Sequence, residues 1–173
     1  MTTNLVLTVI ADDKPGLVGA LSQTIASNSG NWLESSMSRL AGKFAGILRV
    51  SVADDQVDKL IEELNGLSTE IKLVIEKSQV DGGQQKSRMV ELSLVGNDRP
   101  GIIKEISAAV SAFGINVERL NTECVSAPMS SDALFKAQAL LEVPQGVALE
   151  QLQLKLEQLA DDLIVEIDVA VRD

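Results

Sequence analysis

The residues best placed to do chemistry lie in a stretch that occurs twice. Asp13-Lys14-Pro15-Gly16-Leu17-Val18 returns 85 positions later as Asp98-Arg99-Pro100-Gly101-Ile102-Ile103, and at the same interval an asparagine follows each, Asn31 and Asn116. In both copies the proline and glycine stand just ahead of a helical apolar repeat. A glycine there puts no Cβ beside the free N–H groups of a helix start, and such a corner can accept a carboxylate or a phosphate. The asparagine amide both donates and accepts, which suits the paired carboxylate and ammonium of an amino acid. Read as architecture alone, the same residues make a tight turn, with aspartate as cap and asparagine as turn residue. Repetition in matching contexts is what favours a binding role.

Other constellations are poor. The chain contains no histidine, which removes Ser-His-Asp, Cys-His and His-metal sites. Cys124 has no evident activating partner and reads as a buried, inert thiol. Glu62-Glu63 and Asp161-Asp162 fall on helix ends or exposed faces and match no calcium-loop spacing. No catalytic set, metal site or cofactor motif is visible, so a non-enzyme without a cofactor is expected.

The elements that must position the two corners follow one order in each copy. Leu5 to Ala11 and Met89 to Val95 read as strands. Pro15 and Pro100 suit the first helical turn, so helices are expected to start there. Leu17, Leu21 and Ile25, like Ile102, Ile106 and Val110, repeat every fourth residue and give each helix one apolar face; Gly30 and Gly114 are expected to end them. Two strands follow, Asn31 to Leu40 with Phe44 to Val52, and Asn116 to Val125 with Leu134 to Val143, the first pair turned at Ala41-Gly42. A second helix carries Val57, Leu60, Ile61 and Leu64, or Leu149, Leu152, Leu156 and Leu159. The last strands alternate, as Ile71, Leu73, Ile75 and as Leu163, Val165, Ile167, Val169, Val171. Phe44 aligns with Phe135, Leu60 with Leu152 and Ile71 with Leu163. Each copy is therefore β-α-β-β-α-β: an α+β, ferredoxin-like module with a four-stranded antiparallel sheet and two helices on one face.

The polar segment 78–88, centred on Gly82-Gly83, reads as a linker between domains at 1–77 and 89–173. The first strand is apolar on both parities, with Leu5, Leu7 and Val9 against Val6 and Ile10. A sheet with one wet face does not need that, so a covered second face or edge pairing, and hence a homo-oligomer, is expected.

A length of 173 residues suits two small domains, and a hydrophobic fraction of 45% with 23% charged residues suits packed cores. With one Trp, no Tyr and three Phe, the cores must be aliphatic. The net charge of −10 repels polyanions, so no direct nucleic-acid binding is expected; an RNA-binding sheet would also need central aromatics and a basic rim. No membrane span or signal segment is visible, and a single cysteine fits a reducing compartment, so the chain is expected to be cytoplasmic with no membrane partner.

The corner D-[KR]-P-G-[LI]-[VI] followed by N-[WV], twice within a βαββαβ order, resembles the signature of the ACT domain family. That resemblance implies amino-acid binding at the first strand–helix corner and at interfaces between modules. Carried over, the ligand corner falls on Asp13, Pro15, Gly16, Leu17, Val18 and Asn31, and on Asp98, Pro100, Gly101, Ile102, Ile103 and Asn116. Trp32, where copy two has Val117, reads as a partly buried core residue; beside the pocket it would narrow it. The stretch from Ala127 to Phe135, with a tandem pair and little else, is similar to ACT-family repressors of the glycine cleavage system. This implies a non-catalytic regulator that acts on transcription through a DNA-binding partner protein, under control of an amino acid such as glycine. Two other readings stand beside it: a protein-interaction module with vestigial corners, and a detached regulatory subunit of an amino-acid enzyme.

Overall fold

The first strand, β1 (Thr2–Asp12), places Leu5, Leu7, Val9 and Ala11 in the core and turns the residues between them outward. It is flanked by β3 (Lys43–Ala53) and β4 (Ile71–Ser78), and β2 (Asn31–Leu40) pairs with β3, so the sheet order is β2-β3-β1-β4 with every neighbour antiparallel. Helix α1 (Leu17–Ser27) buries Leu17, Leu21 and Ile25, and α2 (Val57–Asn65) buries Val57, Leu60 and Leu64. These side chains and the inward residues of β1 and β3 form one aliphatic core, with Trp32 and Phe44 only partly buried against it. Burial of each such side chain contributes roughly 1.5–3 kcal/mol.

The order then repeats: β5 (Ser87–Asn97), α3 (Ile102–Ala112), β6 (Asn116–Ser126), β7 (Ala133–Pro144), α4 (Leu149–Leu163) and β8 (Val165–Arg172), in the sheet order β6-β7-β5-β8 with its own core. The computed structural model describes residues 1–79, 86–127, 129 and 132–172. The chain divides into two compact units, Met1–Gly82 and Gly83–Asp173. Each is an α+β, ferredoxin-like module. Strands β4 and β5 reach Ser78 and start at Ser87, taking both ends of the segment read as a linker, and Gly82-Gly83 lies outside the described residues. So do residues 128, 130 and 131 of the loop before β7. Among the described residues no helix is long and apolar enough to cross a membrane.

Three local features depart from the sequence reading. The first helices begin at Leu17 and Ile102, two residues beyond the prolines, because Gly16 and Gly101 cap them at φ 93° and 95°. Pro15 and Pro100 belong to the turn before the cap. At the other end of α1 it is Ser29, at φ 59°, that takes the left-handed position Gly114 fills in the second module. Gly30 instead donates its N–H to the Ile25 carbonyl (2.8 Å), as Ile115 does to Val110 (3.3 Å), closing the same helix-ending motif. A Cβ on Gly30 would lie 2.8 Å from Ile25 Cγ2. A side chain at φ 59° is strained, so Ser29→Gly is expected to raise stability by about 0.5–1 kcal/mol, read as a higher urea midpoint. An unchanged or lower midpoint would contradict the cap assignment. Thirdly, Leu163 ends α4 rather than beginning the last strand. That helix has 15 residues against nine in α2, and Leu163 continues its apolar period after Leu156 and Leu159. Ala11 faces Ile71 as Gly96 faces Val165, so Val165 is the counterpart of Ile71.

Candidate functional site

In the first module the strand–helix corner is fixed by the β2–β3 hairpin. Ala41 and Gly42 turn at φ 50° and 79°, the paired left-handed geometry of a tight hairpin. The Gly42 carbonyl accepts the Asp13 N–H (3.0 Å), and the Gly16 carbonyl accepts that of Ala20 (2.9 Å). No side chain caps the start of α1, so the N–H groups of its first turn have no side-chain cap. A cavity of ≈160 Å³ opens there, lined by Asp13, Lys14, Gly16, Leu17, Val18, Gly19 and Phe44. A Cβ on Gly16 or Gly101 meets nothing within 4 Å. The φ angles alone are enough to favour glycine at both positions.

The hairpin supplies two cations near this corner, Arg39 and Lys43, and the corner itself supplies Lys14. Arg39 Nη1 lies 3.5 Å from Asp13 Oδ2, and Lys14 pairs with Glu70 at 3.0 Å. Lys43 donates to Asp12, and this hydrogen bond together with the lysine charge holds the Asp12 carboxyl below the usual carboxylate range. Exposed pairs of this kind add little stability. Their consequence is that a guanidinium stands beside Asp13, while Lys14 is the cation that lines the cavity.

The second corner has the same backbone and different charges. Asp98 donates its N–H to the Ala133 carbonyl (2.9 Å), and Glu105 donates to Gly101 (3.0 Å). Arg39 sits opposite Phe44 and Cys124 opposite Phe135, so a thiol occupies the guanidinium's place. Cys124 is exposed, not buried; local desolvation and then the charge of Asp98 push its thiol above the ordinary value. Arg99 turns away, donating to the Asp162 carbonyl (3.4 Å). The cavity near this end, ≈490 Å³, is lined by residues of β5, β7, β8 and the end of α4, among them Asp161 and Glu166. None of Asp98, Pro100, Gly101, Ile102 and Ile103 lines it.

Asn31 and Asn116 lie elsewhere. Asn31 faces Ser51, which faces Asn4, whereas the corner lies beyond Asp12 at the other end of β1. Eight residues of strand separate the two levels, about 27 Å. Asn116 stands at the Glu142–Met89 level, equally far from Asn97. A ligand held within one module can touch the corner or the asparagine, not both. Trp32 shares the far end: it sits opposite Val50, packs on the core and donates from Nε1 to Ser35 Oγ (3.2 Å). The corner is therefore not narrowed by the indole. Arg39 and Phe44 were not among the sequence candidates, because only the hairpin register brings them to Asp13.

Beside Asn116, Ser87 Oγ donates to Glu142 Oε1 (3.0 Å), and Glu118 shares a hydrogen bond with the same carboxyl. That bond, with desolvation and the Glu142 charge behind it, raises the Glu118 carboxyl above its ordinary value of 4.5. A raised acid favours the folded state below the ordinary value and loses this contribution as pH rises through the raised one. The stability of the parent relative to Glu118→Gln is expected to fall as pH rises from 4.5; parallel thermal-melt profiles for the two would count against the pairing. Among the described residues no group of three or more His, Cys, Asp or Glu could hold a metal ion.

Two tandem modules with this topology define the class. Residues 3–78 and residues 84–171 each match a family model described as ACT domain, and the chain belongs to the ACT domain family. Its fold is similar to that of an unknown protein from Galdieria sulphuraria, 26% identical with a TM-score of 0.88 over the whole of both chains. It is also similar in fold to a structure provisionally assigned as a glycine cleavage system transcriptional repressor, 17% identical with a TM-score of 0.74 over 100% of this chain and 99% of that one. Comparison with curated proteins finds no match.

Proposed function

We propose that this chain is a non-catalytic regulator of amino-acid metabolism, of the glycine cleavage repressor type, which receives a small amino acid at the corner of its first module. The observation that carries this reading is the Arg39 guanidinium 3.5 Å from Asp13, a residue that with Lys14 lines the ≈160 Å³ cavity at an uncapped helix start. A ligand carboxylate there meets helix N–H groups and a charged, planar donor together. Asp13 offers a carboxylate to the ligand's ammonium. The small volume suits an amino acid such as glycine. At the second corner Cys124 replaces the guanidinium and acidic residues line the neighbouring cavity, so it receives an anion less well.

The regulator acts on transcription through a DNA-binding partner protein, because a net charge of −10 opposes direct contact with DNA. A mobility-shift assay tests this. The purified chain alone is expected to leave DNA unshifted at about 0.15 M salt, and to change the shift produced by a DNA-binding regulator captured with it, in an amino-acid-dependent way. A shift by the chain alone would sink the scheme. A second reading, an interaction module with vestigial corners, is favoured by one observation: the φ angles of Gly16 and Gly101 explain those glycines without any ligand.

A further inference from the structure

The ligand reading leaves the open face of the first sheet unused. On that face Thr8 lies between Ile47 and Val74, Ile10 between Ala45 and Lys72, and Val6 between Arg49 and Glu76. These positions alternate with the buried Leu5, Leu7 and Val9 and so point away from the core. Ile10, Ile47 and Val74 are 43%, 56% and 58% exposed, and the register makes them one contiguous patch. Apolar patches of this kind mark interaction surfaces. The fold does not demand it: in the second module Ser93 lies between Gln138 and Asp168, and Val95 between Lys136 and Glu166.

The charges at the edge of the patch are self-complementary. Arg49 and Glu76 stand on opposite sides of Val6, one on β3 and one on β4. When two such faces meet about a two-fold axis running along β1, β3 of one copy lies over β4 of the other. Ile47 then covers Val74 of the second copy and Arg49 meets its Glu76, each contact made twice. Packed sheets cross at about 30°, which preserves these partners near the axis. Arg49 already pairs with Glu34 at 2.9 Å, so the second carboxylate extends an existing ion pair.

We propose that the open face of the first sheet binds the same face of a second copy of this chain, giving a two-fold homodimer. Sedimentation of the full chain tests it. The parent is expected to be a dimer, and Ile47→Asp or Val74→Asp to raise the dimer Kd by about tenfold or more with an unchanged circular dichroism spectrum. Glu76→Arg alone sets arginine against arginine and Arg49→Glu alone sets glutamate against glutamate, so each weakens the dimer. Mixing these two variants pairs every arginine with a glutamate and is expected to recover it. A monomeric parent, a dimer indifferent to both aspartate variants, or a folded mixture that fails to recover would each overturn the proposal. Indifference would point to pairing through a sheet edge, and a monomeric parent to a different protein as occupant.

Discussion

Leu60→Ala is expected to cost the first module about 2–5 kcal/mol. Leu60 is fully buried on α2, and its α1-side neighbours Leu17, Leu21 and Ile25 are 5%, 0% and 1% exposed. The buried core is leucine, isoleucine, valine and alanine, with Trp32 and Phe44 only partly buried against it, so the missing atoms leave a cavity lined by side chains that have lost contacts. Leu152→Ala, at the matching place on α4 and equally buried, is expected to do the same to the second module. Lys59→Ala, on the exposed side of α2, serves as the control and is expected to stay within about 0.5 kcal/mol of the parent. Urea denaturation followed by circular dichroism reads all three. A loss below about 1 kcal/mol for both leucine variants would mean that the helices do not close the cores as described.

The largest functional effect is expected from Arg39→Ala. If the ligand carboxylate binds at the first corner, removing the guanidinium takes away a charged donor, and hydrogen bonds to charged groups contribute about 1.5–3 kcal/mol. Affinity for the amino acid should then fall roughly tenfold to a hundredfold. The fold should be untouched, because the side chain is 73% exposed and its pair with Asp13 is a surface contact. Cys124→Ala, at the matching position of the second module, is expected to leave affinity unchanged. Equal weakening by both variants would place the carboxylate elsewhere. Asn31→Ala separates the two ends of the sheet: an effect as large as that of Arg39→Ala would mean that one ligand draws on two copies of the module, since about 27 Å lies between these levels within one.

The architecture was legible because burial follows apolar period. Leu17, Leu21 and Ile25 lie inside where their spacing placed them, as do Ile102, Ile106 and Val110, and the tandem order of elements follows from the repeat. The errors were local, at places where backbone geometry outvotes composition. A left-handed residue ends α1 one position before the glycine that seemed to mark it, and the chain reaches Gly16 before the helix begins. The composition of the corner could be read, but its electrostatics could not. Arg39 meets Asp13 across a separation of 26 residues, a contact set by the register of a hairpin. Asn31 follows the helix closely in sequence, yet the antiparallel path carries it to the far end of the sheet. The apolar outward residues of β1 were legible as an unpartnered face, whereas their alignment with Ile47 and Val74 needed the register of three strands.

Calorimetric titration of the full chain with a panel of free amino acids, glycine first, tests the sensing role most directly. Saturable heat is expected from at least one small amino acid at or below millimolar concentration, a range in which binding carries about −4 kcal/mol or more. That heat should be diminished in Arg39→Ala and retained in Cys124→Ala. A folded chain that gives no heat with any amino acid at millimolar concentration would contradict it, leaving both corners as turns and the molecule as a protein-interaction module.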